Sequence, residues 1–524
     1  MSEVGNYYLT TAIDYPNSRP HIGTAFEKLG ADVQARYRRM EGYNVFFLMG
    51  NDENTVKVAK RAEELGRDVQ EYCDDMARQF REVWDALDIS YDDFIQTSEP
   101  RHHQACQQFI QKVFDNGHIY KGKYEGLYCE GCESFKTEKE VKEAGGVCPD
   151  HKVPPIQRSE PCYFFALAKF EAQLLEYYEN NPDFIQPESR NNEILSLVQS
   201  GLQDINISRV GQDWGIPVPF EQEFTIYVWF DALLNYISAI GYGTDDEKFQ
   251  TWWPADTHFI GKDITRFHCA LWPAMLMAAE LPVPKRVFGH GFVYRKDDET
   301  GEVSKESKSQ GKAIEPMDII NEYGSDAFRY YFMSQCPFPG DGEFSWNRFV
   351  NAYNADLSNN LGNLFSRVVK LVHKNFDGIL KDATDEEPTV IYFNEDTETT
   401  VQQVENHIEA CQYNVALQKI WLQVLDPVNR YLERTEPWKL VKVNREFAKR
   451  VLYDSVDQLR AISILIKPFM PRTSEKIYKS FNFEQPWEDV RFEDVWVKAA
   501  QGEERRLLAE LDNGNVPPLF PRIK

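Results

Sequence analysis

No apolar run in this 524-residue sequence is long enough to cross a bilayer. The longest, at residues 270–279, falls well short of the roughly 20 residues that a spanning helix needs. The first fifteen residues have neither a basic cluster nor a continuous apolar block, so nothing there reads as an export signal. Basic charge is also in short supply: 58 Lys and Arg stand against 83 Asp and Glu, a net charge of −25. That balance argues against a protein that coats nucleic acid nonspecifically, and any polyanionic partner must be held by local basic patches. Cysteine is sparse, nine in all and mostly scattered, which fits reduced thiols plus a metal site better than a disulfide framework. A soluble, cytoplasmic protein without membrane contact is expected.

What the chain does have is apolar material, 42% hydrophobic and 14% aromatic, enough for large cores in roughly three or four domains. Residues 7–13 (YYLTTAI) read as a short buried strand, and residues 14–20 supply a dense turn signal. Ile22, Phe26, Leu29, Val33, Tyr37 and Met40 then recur at helical spacing, Gly42 marks a stop, and VFFLMG at 45–50 reads as a second buried strand. Strand, helix and strand make a parallel crossover, whose ligand crevice lies beyond the strand C-termini where a helix N-terminus faces anions. His21 and Gly23 sit there by position. The glycine admits a planar base and the imidazole offers donors to phosphate, although an isolated HIG tripeptide reads first as a capped helix start. Asp52, just past the second strand, is placed to hold a cationic amine. Far downstream, Lys305, Lys308 and Lys312 share a polar Ser- and Gly-containing loop, either a solvated charged loop or a clamp for a triphosphate.

Two pairs of metal-ligating residues stand between these segments. Cys129-x2-Cys132 and Cys148-x2-His151 are separated by fifteen residues that include Gly145 and Gly146. Two such knuckles close a tetrahedron around one Zn2+, and with four protein ligands the metal is structural rather than a source of hydroxide. Cys162 is a nearby spare thiol and is not assigned to the site.

Together, PHIGT at 20–24 and KESKS at 305–309 resemble the paired HIGH and KMSKS motifs of class I aminoacyl-tRNA synthetases. DYPNSRPHIG, YVWFDALLNYISA (227–239), HFIGKDITRFHCALWPAML (258–276) and NRYLERTEPWKL (429–440) resemble methionyl-tRNA synthetases, in the same order and over nearly the whole chain. The resemblance implies an α/β fold: a Rossmann-type parallel-sheet catalytic domain in two halves, at 1–115 and 210–290. A connective insertion with the zinc knuckle lies between them at 116–209, in a form carrying one zinc. A KMSKS-type loop and stem-contact region at 291–350, a helical anticodon-binding domain at 351–505 and a tail at 506–524 follow. It implies ATP-dependent ligation of L-methionine to tRNA(Met) through methionyl-adenylate, serving translation initiation and elongation, with Mg2+ accompanying ATP.

Carried over residue by residue, the resemblance assigns His21, Thr24, Lys305 and Lys308 to catalysis. Pro20, Gly23, Lys262 and Ser307 join these four in binding ATP, and Asp263 lies beside Lys262. The methionine pocket comprises Ile13, Tyr15, Trp229, Ala232, Leu233, Tyr236, Ile264 and His268, with Asp52 on the amino group. A thioether is polarizable, and aromatic neighbours each add about 0.3–1.5 kcal/mol of sulfur contact. From 351 onward the pattern is helical, broken by an acidic, Thr-rich segment at 382–400 that reads as a loop. Asn363, Arg367 and Trp438 are the candidates for reading the CAU anticodon, since single-stranded bases are recognised by stacking and by their exposed edges. Pro437 shapes the Trp438 turn, Phe520 suggests a tail packed back on the body, and the lack of an appended dimerising domain favours a monomer.

The sequence departs from the family pattern in three places. Thr24 replaces the second His of HIGH, Glu306 replaces the Met of KMSKS, and Asn54-Thr55 stand where His-Gly is usual. Three functions are therefore carried forward: an active methionine–tRNA ligase, a paralogue with another amino acid or acceptor, and a noncatalytic tRNA-binding protein.

Overall fold

The computed structural model describes residues 5–129, 134–136, 138–149, 152–210, 213–305, 314–381, 395–496, 503–512 and 516–524. Its centre is a parallel sheet of six strands: β1 (Asn6–Thr11), β2 (Asn44–Asn51), β3 (Asp93–Gln96), β4 (Ile185–Gln186), β5 (Thr257–Gly261) and β6 (Val287–His290). Their order is β3-β2-β1-β5-β6-β4, and every pairing is parallel. Both faces are covered, so alternate residues feed two cores. Tyr7, Leu9, Phe47, Met49, Phe94, Phe259 and Phe288 enter one, while Tyr8, Leu48, Ile95, Ile260 and Val287 enter the other. This two-sided burial explains why the strands read as continuous apolar runs. The order reverses between β1 and β5, so a crevice opens at their C-terminal ends.

The predicted crossover helix is α1 (Ile22–Met40), ended by Gly42 at φ +94°. Its inner face carries charge as well as apolar side chains. Asp32 on α1 and Arg329 on α2 (Ser325–Gln335) are both fully buried and meet at 2.6 Å. Asp32 also accepts from Ser90 N–H (2.7 Å), Ser90 Oγ (2.6 Å) and Arg36 Nε (2.8 Å). Arg329 donates to the carbonyls of Phe469 (2.7 Å), Leu87 (3.1 Å) and Pro468 (2.9 Å). Burial alone would raise the Asp32 pKa, but the two guanidiniums and the serine overcome it and hold it at about 2.

Between the sheet halves lies an antiparallel four-stranded sheet of Ser134–Lys136, Ile119–Cys129, Ile156–Phe165 and Ile205–Asn206. The C-terminal domain is helical, with α3 (Asn363–Phe376) and the deeply buried α4 (Arg445–Ile466). Its core is continuous with one face of the parallel sheet. Two expectations need correction here. The segment read as a loop at 382–400 is helical from Glu395, because Glu395–Glu409 buries Val401, Val404 and Ile408 at helical spacing; residues 382–394 lie outside those described. The helical domain also holds an antiparallel strand pair, Ile379–Lys381 with Glu504–Arg506, each only three residues long and so too short to read from its alternation.

The tail folds back as expected. Phe520 is buried with its ring 5.8 Å from that of Tyr353, and Ile523 exchanges two hydrogen bonds with the Asn354 amide. Among the described residues no helix is long and apolar enough to cross a membrane.

Removing one partner of a buried ion pair costs about 3–5 kcal/mol. Asp32→Asn is therefore expected to lower stability by that order in urea denaturation, whereas Arg78→Gln, at an exposed pair, leaves the midpoint unchanged. Equal midpoints for all three proteins would contradict the role given to Asp32.

Candidate active site

After β1 the chain crosses the switch point along the C-terminal edge of the sheet. Ala12 N–H donates to Phe259 O of β5 at 3.1 Å, and Asp14 N–H donates to Gly50 O of β2 at 3.0 Å. Asp52 N–H returns to Asp14 O at 2.9 Å. Ile13 and Tyr15 are thereby suspended over the crevice, both half-buried. Pro20 is buried, and α1 starts at its end of the same loop.

His21 caps α1. Its Nδ1 accepts from Gly23 N–H at 3.0 Å and Thr24 N–H at 3.2 Å, which leaves the ring proton on Nε2. A Cβ on Gly23 would lie 2.9 Å from the imidazole, so glycine is what lets the ring fold back. Ile22 N–H donates to Ile314 O at 3.1 Å. That bond sets the far end of the lysine-rich segment beside the α1 N-terminus. Its near end is the strand Val303–Lys305, paired antiparallel with Val293–Lys296. Ser307, Lys308 and the Lys305 side chain lie outside the described residues.

The predicted methionine pocket assembles around a hydrogen-bonded aromatic floor. Tyr236 Oη donates to His268 Nε2 at 2.7 Å, because His268 Nδ1 already donates to Ile264 O at 3.1 Å. Tyr8 Oη fixes Tyr236 O at 2.7 Å, and His258 stacks on Tyr236 with centroids 4.2 Å apart. Burial lowers the His268 pKa to about 4, so the ring is neutral. Ala232 and Leu233 are buried, while Trp229 and Ile264 are half-buried. Trp229 lies flat on Phe267, at 4.0 Å and 2°. Such a site is apolar, aromatic and without charge, suited to a thioether.

Carboxylates gather near this floor, and Glu27, Asp52 and Asp14 all act on the Tyr236 phenol. Asp52 and Asp231 are buried, and each has a pKa raised by burial and by a neighbouring carboxylate, Glu53 for Asp52 and Asp52 for Asp231. Glu53, pushed up to about 7 by burial, accepts from Ser98 Oγ (2.5 Å) and Gln96 Nε2 (3.1 Å). Trp214 Nε1 donates to Glu53 O at 2.8 Å. Asp14 and Glu27 instead surround the fully buried Lys28, at 3.1 and 2.7 Å. His290 Nε2 donates to Glu27 at 2.9 Å. Lys262 is half-buried in an ion pair with Asp341 at 2.7 Å and lies over the Phe292 ring, while Asp263 is exposed.

A family model described as "tRNA synthetases class I (M)" matches residues 7–369, and one described as "Anticodon-binding domain of tRNA ligase" matches 392–512. The methionine–tRNA ligase of Caldanaerobacter subterraneus subsp. tengcongensis is 43% identical over 492 residues, 93% of this chain and 76% of that protein. The chain belongs to the methionyl-tRNA synthetase family. The Mycobacterium tuberculosis methionyl-tRNA synthetase in complex with methionyl-adenylate superposes with a TM-score of 0.88 at 36% identity, over 99% of this chain and all of that one. The apo form from the same organism gives 0.80 at 34% identity, over 99% and 98%.

In this synthetase the anticodon candidates also come together. Asn363 and Arg367 lie one turn apart on α3, and the Arg367 guanidinium stands 5.1 Å over the Trp438 ring. Trp438 is exposed and follows Glu436, whose φ of +44° ends one helix before Pro437 starts the next. At the zinc candidates, Cys129 closes the strand Ile119–Cys129 and is buried. Cys148 is fully buried, and its N–H donates to Val153 O at 2.8 Å. Cys132 and His151 lie outside the described residues.

Sequence reasoning missed Asp231, Phe267 and Lys28. Asp231 is the one acidic residue in YVWFDALLNYISA, and a lone charge inside an apolar segment was the available signal.

Because His268 stays neutral when folded but takes up a proton when unfolded, it withdraws stability as pH falls below about 6.5. The stability gap between the native protein and His268→Gln should therefore narrow by about 1.4 kcal/mol per pH unit from 6.5 towards 4. Urea titrations at pH 7, 6 and 5 measure it, and a constant or widening gap would contradict the assignment.

Proposed function

We propose that the chain ligates L-methionine to tRNA(Met) in two steps, with methionyl-adenylate as intermediate, for translation initiation and elongation. The observation that carries this reading is one juxtaposition: a helix N-terminus capped by His21 beside a neutral Tyr236–His268 floor and buried, cation-seeking carboxylates. The relative whose structure holds methionyl-adenylate supports it.

The methionine carboxylate attacks the α-phosphorus of ATP in line, so the protein supplies positioning and stabilises charge moving onto pyrophosphate. His21 Nε2–H and the first turn of α1 face the phosphates, with Thr24 offering a hydroxyl where an imidazole is usual. Pro20 and Gly23 give the nucleotide access to the backbone. Lys305, Ser307 and Lys308 act on the leaving pyrophosphate, and Lys262 joins them by exchanging its Asp341 partner for phosphate. Mg2+ bound with ATP neutralises phosphate charge. Tyr15, Trp229 and Ile264 close over the side chain of methionine, whose ammonium meets Asp52.

Cys129, Cys132, Cys148 and His151 hold one structural Zn2+, a reading favoured by the two buried thiols at the knuckle positions. The metal would stiffen the insertion. Asn363, Arg367 and Trp438 read the anticodon. The enzyme acts as a cytoplasmic monomer.

Methionine-dependent ATP–pyrophosphate exchange tests the central claim, and His21→Ala should lose it by roughly 100-fold or more. Exchange with another amino acid but not methionine selects a paralogue, and none with any amino acid selects a noncatalytic tRNA-binding protein. Trp438→Ala should weaken aminoacylation while leaving exchange intact, since stacking is worth about 1–3 kcal/mol per base; equal loss of both would refute its role. Metal analysis should find one zinc per chain, lost in Cys148→Ser.

A further inference from the structure

Asn54, Thr55 and Asp231 are not used by the mechanism above. Thr55 has a local explanation, since its hydroxyl caps the helix Val56–Glu64 by accepting from Val58 N–H at 3.1 Å. Asn54 reaches further. Its Nδ2 donates to Thr97 O at 3.0 Å and to Asp231 Oδ2 at 3.1 Å. That aims a carboxylate which is 0% exposed and whose Oδ1 has no hydrogen-bond partner among the described residues. Asp52, 3% exposed, has an Oδ1 in the same condition. Both carboxylates act on the phenol of Tyr15, whose pKa is raised by burial, then by Asp52, Tyr227 and Asp231. Asp231 stands between the pocket residues Trp229 and Ala232 in the helix Val228–Ala232, and Asp52 N–H donates to Asp14 O in the loop that carries Ile13 and Tyr15, so both adjoin the amino-acid pocket.

Two buried carboxyl groups with idle oxygens favour a cation beside them, and the neighbouring cations among the described residues are engaged elsewhere. Lys28 is held by Asp14, Glu27 and Ala12 O. Arg209 lies over the Tyr227 ring at 4.1 Å and donates to Ser208 O, and Lys262 pairs with Asp341. The compensating charge is left to the ligand. A primary ammonium fits, having three donors to share among more than one acceptor.

We propose that Asp231, aimed by Asn54, is the second carboxylate of the ammonium seat and acts with Asp52 to select substrates that carry a free α-amino group. The proposal rests on the methionine-activating function above and adds a specificity residue to it. A site built to pair a polar group discriminates strongly against an analogue lacking it, because its own buried groups are then left unpaired.

The test uses inhibition of methionine-dependent exchange by L-methioninol, which keeps the amine, and by 4-(methylthio)butan-1-ol, which lacks it. The native protein should prefer the amine by at least about 100-fold. Asp231→Asn should raise the KM for methionine and the Ki for methioninol in parallel, by about 10-fold or more. It should leave the Ki for the desamino alcohol and the kcat within a few-fold. Asn54→Ala, which keeps both carboxylates but removes the aim of one, should shift the same two constants in the same direction by less, and serves if Asp231→Asn does not fold. Equal weakening of both inhibitors would make Asp231 merely structural, and unchanged preference in both variants would remove it from the seat; either overturns the assignment while the methionine function stands. Absence of methionine-dependent exchange in the native protein would overturn both.

Discussion

The position of α1 is set at one point, the buried contact between Asp32 and Arg329. Two charges withdrawn from water need complete pairing, and here it is supplied on both sides: Ser90 and Arg36 complete the carboxylate, and three backbone carbonyls complete the guanidinium. Those carbonyls belong to the end of the helix before β3 and to the turn after α4. The helix that presents His21 is therefore referenced at once to the catalytic layer and to the helical domain. Neighbouring contacts agree with it, since Tyr413 Oη donates to Gly30 O at 2.7 Å and Gln34 Nε2 donates to Ile408 O. Gly30 itself has no room for a Cβ, which would enter the Phe338 ring.

The same electrostatic rule, applied twice, separates scaffold from site. Around Lys28 the charges are closed: Asp14, Glu27 and His290 form a chain with an ammonium at its centre, and Lys28 and His290 together hold the Glu27 pKa down at about 2 against its burial. Around Asp52 no cation answers among the described residues, and burial and Glu53 push the carboxyl up. A protein that is acidic overall still concentrates negative charge where a small cation is wanted, and puts its helix N-terminus where phosphate is wanted.

The parallel core was legible because burial on both faces leaves long apolar strings, and the turn residues between them are dense. The site residues were legible where position in a crossover dictates them, as for His21, Gly23 and Asp52, and through motif resemblance for the rest. Other features were hidden for physical reasons. Lys28 and Asp32 look like the polar face of an amphipathic helix, and only their distant partners, Asp14 for Lys28 and Ser90 and Arg329 for Asp32, make that face internal. Asp231 is indistinguishable by spacing from the pocket residues on either side of it. Thr399 and Thr400 suggest a loop, but they sit at the head of a helix whose apolar residues come later.

The seamless core joining the sheet to the C-terminal helices has a bearing on modularity. Severing the chain near residue 350 would take from Gly30, Gln34 and Tyr37 of α1 their partners Tyr413, Ile408 and Phe492, and from Arg329 the carbonyls of Pro468 and Phe469. The half that recognises adenylate and the half that recognises RNA are thus not interchangeable cassettes: a chimera made by swapping the latter must import the matching turn and the packing surface of α1 along with it.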